Sequence, residues 1–407
     1  MSPAQGTYCA VMPEEIEEMQ LCIDNKLQIH STSLYDRLKG HGFFCHPRPF
    51  RSSHHLIQFQ VTNACNLHCV YCSADSGRAY PNEISLDDVK RTIDEATQLF
   101  PDIQISFTGG EPLLVPWLFD AIDYAAQRSH ESVGLLSNLL LLKNNPELFE
   151  KTVACLKDDI ITLQMSISAA DREACDRLSG CICYDDAIEI IRRLGEFGVY
   201  PKVDVMISAP DAQANIDAFA DFRRSLPSEV QISLGIIYPC GREKGKHVFS
   251  SSEEMEKVFD EIAFDGGVSV PGEKLSSVTY RRKACRCIEN ENIYIRSDGT
   301  IFSCFKLVEP LGHISEGLKT VLERRRKTSR FASESTLCSH CPFVSLCASG
   351  CHADNIIYQK STKLPICGKW RRQVIAEMLF EDKSYVLDWP LIHQMAEAKK
   401  RGISIKM

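Results

Sequence analysis

At 407 residues the chain is too long for one average domain and long enough for two or three. Its composition, 44% hydrophobic and 25% charged, is that of an ordinary globular protein rather than a disordered or fibrous one. The formal net charge of -8, with no long basic block apart from Arg324-Arg325-Arg326-Lys327, argues against a nucleic-acid partner. No apolar run is long enough to span a bilayer. The acidic opening (Glu14, Glu15, Glu17, Glu18) lacks the cationic lead and apolar core of a signal peptide, so a cytoplasmic protein with no membrane partner is expected.

In chain order, residues 1–54 read as a short helical cap. Apolar residues at helical spacing run from Pro13 to Asn25, and a second short helix is expected over Ser31–Lys39 before Gly40-His41-Gly42. From 55 to 268 strands and helices alternate. Strands are expected at Leu56–Val61, Ile103–Phe107, Ser132–Leu136, Ile160–Ile167, Lys202–Ile207 and Val230–Gly235. Helices are expected at Leu86–Leu99, Trp117–Gln127, Glu147–Leu156, Tyr184–Phe197 and Asn215–Ser225. Such alternation predicts an α/β unit with a parallel sheet and covering helices. Residues 269–384 break the pattern with short strands and many cysteines. Glu291–Arg296 and Thr300–Ser303 flank the turn Ser297-Asp298-Gly299, a hairpin signal. Helices are expected at Leu318–Arg326 and Trp370–Phe380, and residues 385–407 form a tail.

The nineteen cysteines are unevenly placed. Cys65, Cys69 and Cys72 sit within eight residues just past the first strand. A loop this tight wraps three thiolates around three corners of an iron–sulfur cube and leaves one iron without a protein ligand. A structural zinc knot using the same cysteines and His68 is the alternative. Eight more cysteines lie from Cys285 to Cys367. The remaining eight, including the closely spaced Cys181 and Cys183, read as unligated buried thiols. After the second strand comes Thr108-Gly109-Gly110-Glu111-Pro112. Its glycines let backbone approach a ligand closely, and Glu111 offers a carboxylate to an ammonium. Ser137-Asn138 and Ser166-Ile167-Ser168 end the third and fourth strands with short polar side chains.

The three-cysteine spacing, with Tyr71 before the last thiol, resembles the signature of the radical S-adenosylmethionine (SAM) superfamily, and Gly109-Gly110-Glu111-Pro112 resembles its SAM-binding turn. The resemblance implies a partial (β/α)6 TIM-like barrel. Cys65, Cys69 and Cys72 would hold a 4Fe-4S cluster; Tyr71, Gly109, Gly110, Glu111, Pro112, Ser137, Asn138, Ser166 and Arg177 would line the SAM site. The chain departs from many relatives after the fourth strand, reading Ser168-Ala169-Ala170 and Arg177-Leu178-Ser179-Gly180. Residues from about 270 to 370 resemble the SPASM domain, a C-terminal cysteine-rich domain carrying two auxiliary 4Fe-4S clusters. Cys338, Cys341, Cys347 and Cys367 would hold the outer one, and Cys304 and Cys351, with Cys285, Cys287 or both, the inner one. A zinc ribbon is the alternative there.

The resemblance implies a peptide-modifying enzyme that cleaves SAM reductively and forms a thioether or carbon–carbon crosslink in a ribosomally made precursor peptide. A separate peptide-recognition protein, or contact with the SPASM domain, would hold the leader, and flavodoxin or ferredoxin would donate electrons. The alternative is a sulfatase-maturing, formylglycine-forming enzyme, which usually places an Asp after the cysteine matched by Cys304; this chain has Phe305 there. From another class, a non-catalytic electron carrier or zinc scaffold would have no need of the Gly-Gly-Glu-Pro turn.

Overall fold

The computed structural model describes residues 15, 18, 19, 32–40, 55–157, 160–265, 292–307, 309–326 and 353. The chain divides into two compact units, one of residues 1–51, 271–285 and 331–407, the other of residues 52–270 and 286–330. In the first, helix α1 (Thr32–Gly40) buries Leu34 and Leu38, one turn apart on a single face. The expected helix over Trp370–Phe380 and Cys285, Cys287, Cys338, Cys341, Cys347, Cys351 and Cys367 lie outside the described residues. Among the described residues, no helix is long and apolar enough to cross a membrane.

The second unit is built on a mixed sheet in the order β6-β5-β4-β3-β2-β1-β7-β8-β9. Strands β1 (His55–Gln60), β2 (Ile103–Thr108), β3 (Val133–Ser137), β4 (Ile161–Ile167), β5 (Lys202–Ile207) and β6 (Ile232–Ile236) are parallel neighbours in sequence order. The intervening helices are α2 (Leu86–Leu99), α3 (Leu118–Ala126), α4 (Pro146–Cys155), α5 (Arg172–Ser179), α6 (Tyr184–Glu196) and α7 (Ala212–Ser225), with α8 (Ser252–Asp265) after β6. Six strands in order with helices between them make an open, partial (β/α)6 barrel.

Period-two alternation gives the sheet two unlike faces. Ile57, Phe59, Ile105, Phe107, Leu135, Leu163, Met165, Val203 and Val205 are buried in the core, with Phe59 and Phe107 stacked at 5.8 Å. The other face is polar and partly open. Its register aligns Gln58 with Ser106, Ser106 with Gly134, Gly134 with Thr162, and Ser166 with Asp204. A parallel strand buried on both faces normally reads as continuous apolar sequence; the polar row marks the face left for a ligand.

Helix α2 starts where a capping box fixes it, with the Ser85 hydroxyl accepting from Asp88 N and the Asp88 carboxylate accepting from Ser85 N. Helix α5 falls on a stretch expected as loop. Asp171 caps its start by accepting from Ala174 N at 2.8 Å, and Gly180, at φ +78°, ends it.

Beyond β1 the sheet continues into β7 (Asn292–Ile295), parallel to β1, then β8 (Thr300–Phe302) and β9 (Gly312–His313), both antiparallel. The expected hairpin thus extends the barrel sheet. Residues 286–330, with Cys304 and helix α9 (Leu318–Arg326), belong to the barrel's unit.

Candidate active site

The cysteine loop leaves the C-terminal end of β1, and hydrogen bonds fix its base. Cys65 N donates to Gly77 O at 3.1 Å, and Gly77 N donates to Asn63 O at 2.9 Å. Glu83 grips the same turn: its carboxylate accepts from Asn63 N at 2.6 Å, Thr62 Oγ1 at 2.7 Å and Tyr80 N at 3.0 Å. Cys65, Cys69 and Cys72 are all half-buried. Two backbone amides point at their sulfurs, Leu67 N at Cys65 Sγ (3.4 Å) and Ser76 N at Cys72 Sγ (3.3 Å). Burial pushes the Cys65 thiol up to about 11 and the Cys69 thiol up to about 12, and the other loop thiols add to both rises.

Such thiols deprotonate readily only beside compensating positive charge, which bound iron supplies. A single tetrahedral zinc, with Zn–S roughly 2.3 Å, holds its sulfurs about 3.8 Å from one another. Among the described residues, the one Cys, His, Asp or Glu set whose ligand atoms lie within 4.8 Å of one another is Cys175, Asp176 and Cys183. The three loop thiols are spread more widely and fit the corners of a cluster better than a single ion.

The Gly-Gly-Glu-Pro turn is stitched to this loop. Gly110 N donates to Thr62 O at 2.7 Å and Glu111 N to Ala64 O at 2.8 Å. A Cβ at Gly110 would lie 2.2 Å from Ala64 O and 2.8 Å from Asn63 O; at Gly109 it would lie 3.0 Å from Thr62 O. The expected close approach is therefore to the cysteine loop's own backbone. Pro112 opens a short 3-10 turn, capped by the Glu111 carboxylate accepting from Leu113 N at 3.0 Å.

Glu111 anchors this turn. It is fully buried, and besides Leu113 N its carboxylate accepts from Ser137 Oγ at 2.7 Å and Asn138 N at 2.9 Å. The carboxylate thereby joins the ends of β2 and β3. Burial pushes its pKa up to about 6 despite the three donors. Asn138 then reaches the cysteine loop, its amide donating to Asn66 Oδ1 at 2.9 Å. The next residue, Leu139, is buried at φ +60°, a conformation costly for a residue with a Cβ.

Tyr71 points under the loop, its hydroxyl 2.8 Å from Ser168 Oγ. Ser166 sits exposed on the polar face of β4, while Arg177 pairs with Asp211, which follows β5. The structure thus brings Cys65, Cys69, Cys72, Tyr71, Gly109, Gly110, Glu111, Pro112, Ser137 and Asn138 into one bonded group, and leaves Arg177 out of it.

Sequence reasoning passed over Arg242. It follows β6 in the turn Cys240-Gly241-Arg242, where Gly241 has φ +63° and a Cβ would lie 2.3 Å from Cys72 O. Arg242 N donates to Cys72 O at 2.9 Å, its guanidinium donates to Cys69 O at 2.6 Å and to Ser76 O, and its Nε pairs with Asp75 at 3.0 Å. The signal available was a Gly-Arg pair just past a strand end. A cavity of about 500 Å³ opens beside the loop, lined in part by Cys65, His68, Arg78, Cys181 and Arg242. Cys304 is buried, and Lys306 places its ammonium over the Tyr238 ring, 3.5 Å from its centre.

A family model described as the radical SAM superfamily matches residues 59–222. Among curated proteins the chain is similar to the mycofactocin maturase MftC of Mycolicibacterium smegmatis, 26% identical over 221 residues, covering 53% of this chain and 54% of that one. It is also similar to an AdoMet-dependent heme synthase of Oleidesulfovibrio alaskensis, 24% identical over 350 residues, covering 77% and 86%. The chain spans about half the length of the first curated relatives it matches. Among solved structures it is similar in fold to Streptococcus suis SuiB bound to its precursor peptide SuiA, with TM-score 0.58, 18% identity and 86% of each chain covered. Because the family match takes in the cysteine loop, the turn stitched to it and the strands that carry both, residues 59–222 are a radical SAM domain.

Proposed function

We propose that the protein is a radical SAM peptide maturase, forming a thioether or carbon–carbon crosslink in a ribosomally made precursor peptide. The carrying observation is the bonded unit of the Cys65–Cys72 loop and the Gly109–Pro112 turn at the C-terminal end of a parallel sheet with a polar open face. Barrel enzymes place their chemistry at this end. The similarity to the mycofactocin maturase and, in fold, to a peptide-bound enzyme supports a peptide substrate.

Cys65, Cys69 and Cys72 would hold the 4Fe-4S cluster, and the Gly109–Gly110 backbone, Asn138 and Ser166 would line the SAM site. When bound, the cluster and SAM supply a 5′-deoxyadenosyl radical that takes hydrogen from the substrate. The chain's own part is orientation. Arg242 and Glu83 hold the thiols in register, Glu111 holds the turn against β3, and the apolar core behind the sheet keeps water from one side. An oxidative crosslink also requires an acceptor for a second electron. Cys304, with Cys285, Cys287, Cys338, Cys341, Cys347, Cys351 and Cys367, would supply it by holding two auxiliary clusters. Phe305, edge-on to Tyr294 with ring centroids 6.3 Å apart, follows Cys304 where sulfatase-maturing enzymes usually carry an acid, which supports crosslinking over formylglycine formation.

The test is anaerobic reconstitution followed by reduction with SAM, alongside mass spectrometry of a co-expressed neighbouring peptide. Wild type should release 5′-deoxyadenosine and lower the peptide mass by about two units per crosslink. The Cys65/Cys69/Cys72 triple alanine variant should do neither and should lose about four irons. SAM cleavage with activity confined to a sulfatase Cys or Ser motif would overturn the crosslinking assignment, and zinc in place of iron at the loop would overturn the enzyme reading.

A further inference from the structure

Helix α5 and the turn after it carry a second group of metal-type ligands that radical chemistry does not use. Cys175 and Cys183 are buried, and their sulfurs and a carboxylate oxygen of Asp176 all lie within 4.8 Å of one another. Asp176 Oδ1 accepts from Cys183 N at 2.8 Å and Tyr184 N at 2.9 Å, which aims the carboxylate at the turn that presents Cys183. The arginines on the same helix are engaged elsewhere, Arg172 with Asp185 and Arg177 with Asp211. Two further donors stand at the edge of the group: Ser179 Oγ is 3.1 Å from Cys183 Sγ, and Cys181 Sγ is 4.0 Å from Ser179 Oγ.

Two thiols and a carboxylate gathered this closely are a borderline-soft donor set suited to a zinc-type dication, which takes sulfur and oxygen ligands tetrahedrally. We propose that Cys175, Asp176 and Cys183 bind a thiophilic divalent cation such as Zn²⁺, with Cys181 or water in the fourth position, stapling the start of α6 to α5. The staple would sit under the radical site. Val70 N donates to Leu178 O at 2.9 Å, and a Cβ at Gly180 would lie 3.0 Å from His68 O, so the α5 segment is the floor on which the cysteine loop rests.

The experiment is metal analysis of the anaerobically reconstituted full chain, with zinc counted separately from iron and zinc-edge X-ray absorption on the wild type. The expected result is about one zinc per chain, bound by two or three sulfurs together with oxygen. Cys175→Ser and Cys183→Ser should each lose that zinc while keeping the iron. Cys338→Ser should keep it. Thermal unfolding of the same samples identifies a variant that has lost its fold, and the wild-type spectrum stands whether or not the variants fold. No zinc in the wild type, an all-sulfur shell, zinc lost from Cys338→Ser instead, or a Cys175–Cys183 disulfide in the anaerobic protein would each overturn the site. None of these results depends on SAM cleavage, so the test is independent of the proposed reaction.

Discussion

Gly110 and Ala64 touch through their backbones: a Cβ on the glycine would lie 2.2 Å from the Ala64 carbonyl oxygen and 2.6 Å from its carbon. The obstacle is main chain, so it does not swing aside as a flexible side chain would. Gly110→Ala should therefore displace the segment that leads into Cys65, at a cost of about 1–3 kcal/mol or more. The variant should lose part of the loop's iron together with SAM cleavage, while Gly109→Ala, facing Thr62 O at 3.0 Å, should lose less. Iron analysis beside a 5′-deoxyadenosine assay checks this. Full iron with impaired SAM binding in Gly110→Ala would mean that the glycine serves the ligand directly.

Glu111 makes stability depend on pH. Its carboxyl rises from 4.5 to about 6 on folding because burial disfavours the charge. The folded protein therefore binds more protons than the unfolded chain between those values, so raising the pH through this window destabilises it by about 2 kcal/mol. Glu111→Gln has no such term. Wild-type stability relative to Glu111→Gln should fall between about pH 4.5 and 6 and level off by about pH 7. Thermal midpoints of both proteins across that range measure the difference; a constant gap would show that the carboxyl titrates normally.

Arg242 gives the loop its charged clamp, and lysine does not reproduce a fork that reaches Cys69 O, Ser76 O and Asp75 together. Arg242→Gln should release loop iron to a chelator about tenfold faster, the equivalent of about 1.4 kcal/mol. Arg242→Lys should fall between this variant and wild type. An unchanged release rate in both would remove Arg242 from the cluster's support.

The Tyr71 hydroxyl and Ser168 Oγ at 2.8 Å form a polar pair beneath the loop. Tyr71→Phe and Ser168→Ala should each cost about 1 kcal/mol, and the double variant less than their sum, because the second change removes a partner already lost. Strict additivity in denaturant unfolding would show that the pair does not interact.

The barrel's course was legible because its strands are apolar runs bounded by turn residues; Lys202–Ile207 and Leu86–Leu99 coincide with their expected bounds. The α5 helix was not. Its eight residues are mostly polar and its apolar face is short, although Asp171 and Gly180 bracket it as caps. Spacing along the chain found Cys65, Cys69 and Cys72, but Arg242, Glu83 and Ser168 meet the loop only through tertiary contacts. The anchoring of Glu111 depended on Ser137 and Asn138 facing its carboxylate, a matter of two strand ends converging.

Strand β1 lies between β2 and β7, with Leu56 paired to Asn292 and Phe59 to Ile295. The strand that launches the cysteine loop is thus completed on one side only by residues made long after it. During synthesis its second edge stays unpaired while β2 through β6 emerge, a row of open amides and carbonyls able to pair with another nascent chain. A truncation after α8, although it retains the whole family match, would leave that edge bare for good. Expressed alone, such a fragment should aggregate through β1, and a peptide of residues 290–304 added in trans is the natural agent to cover it.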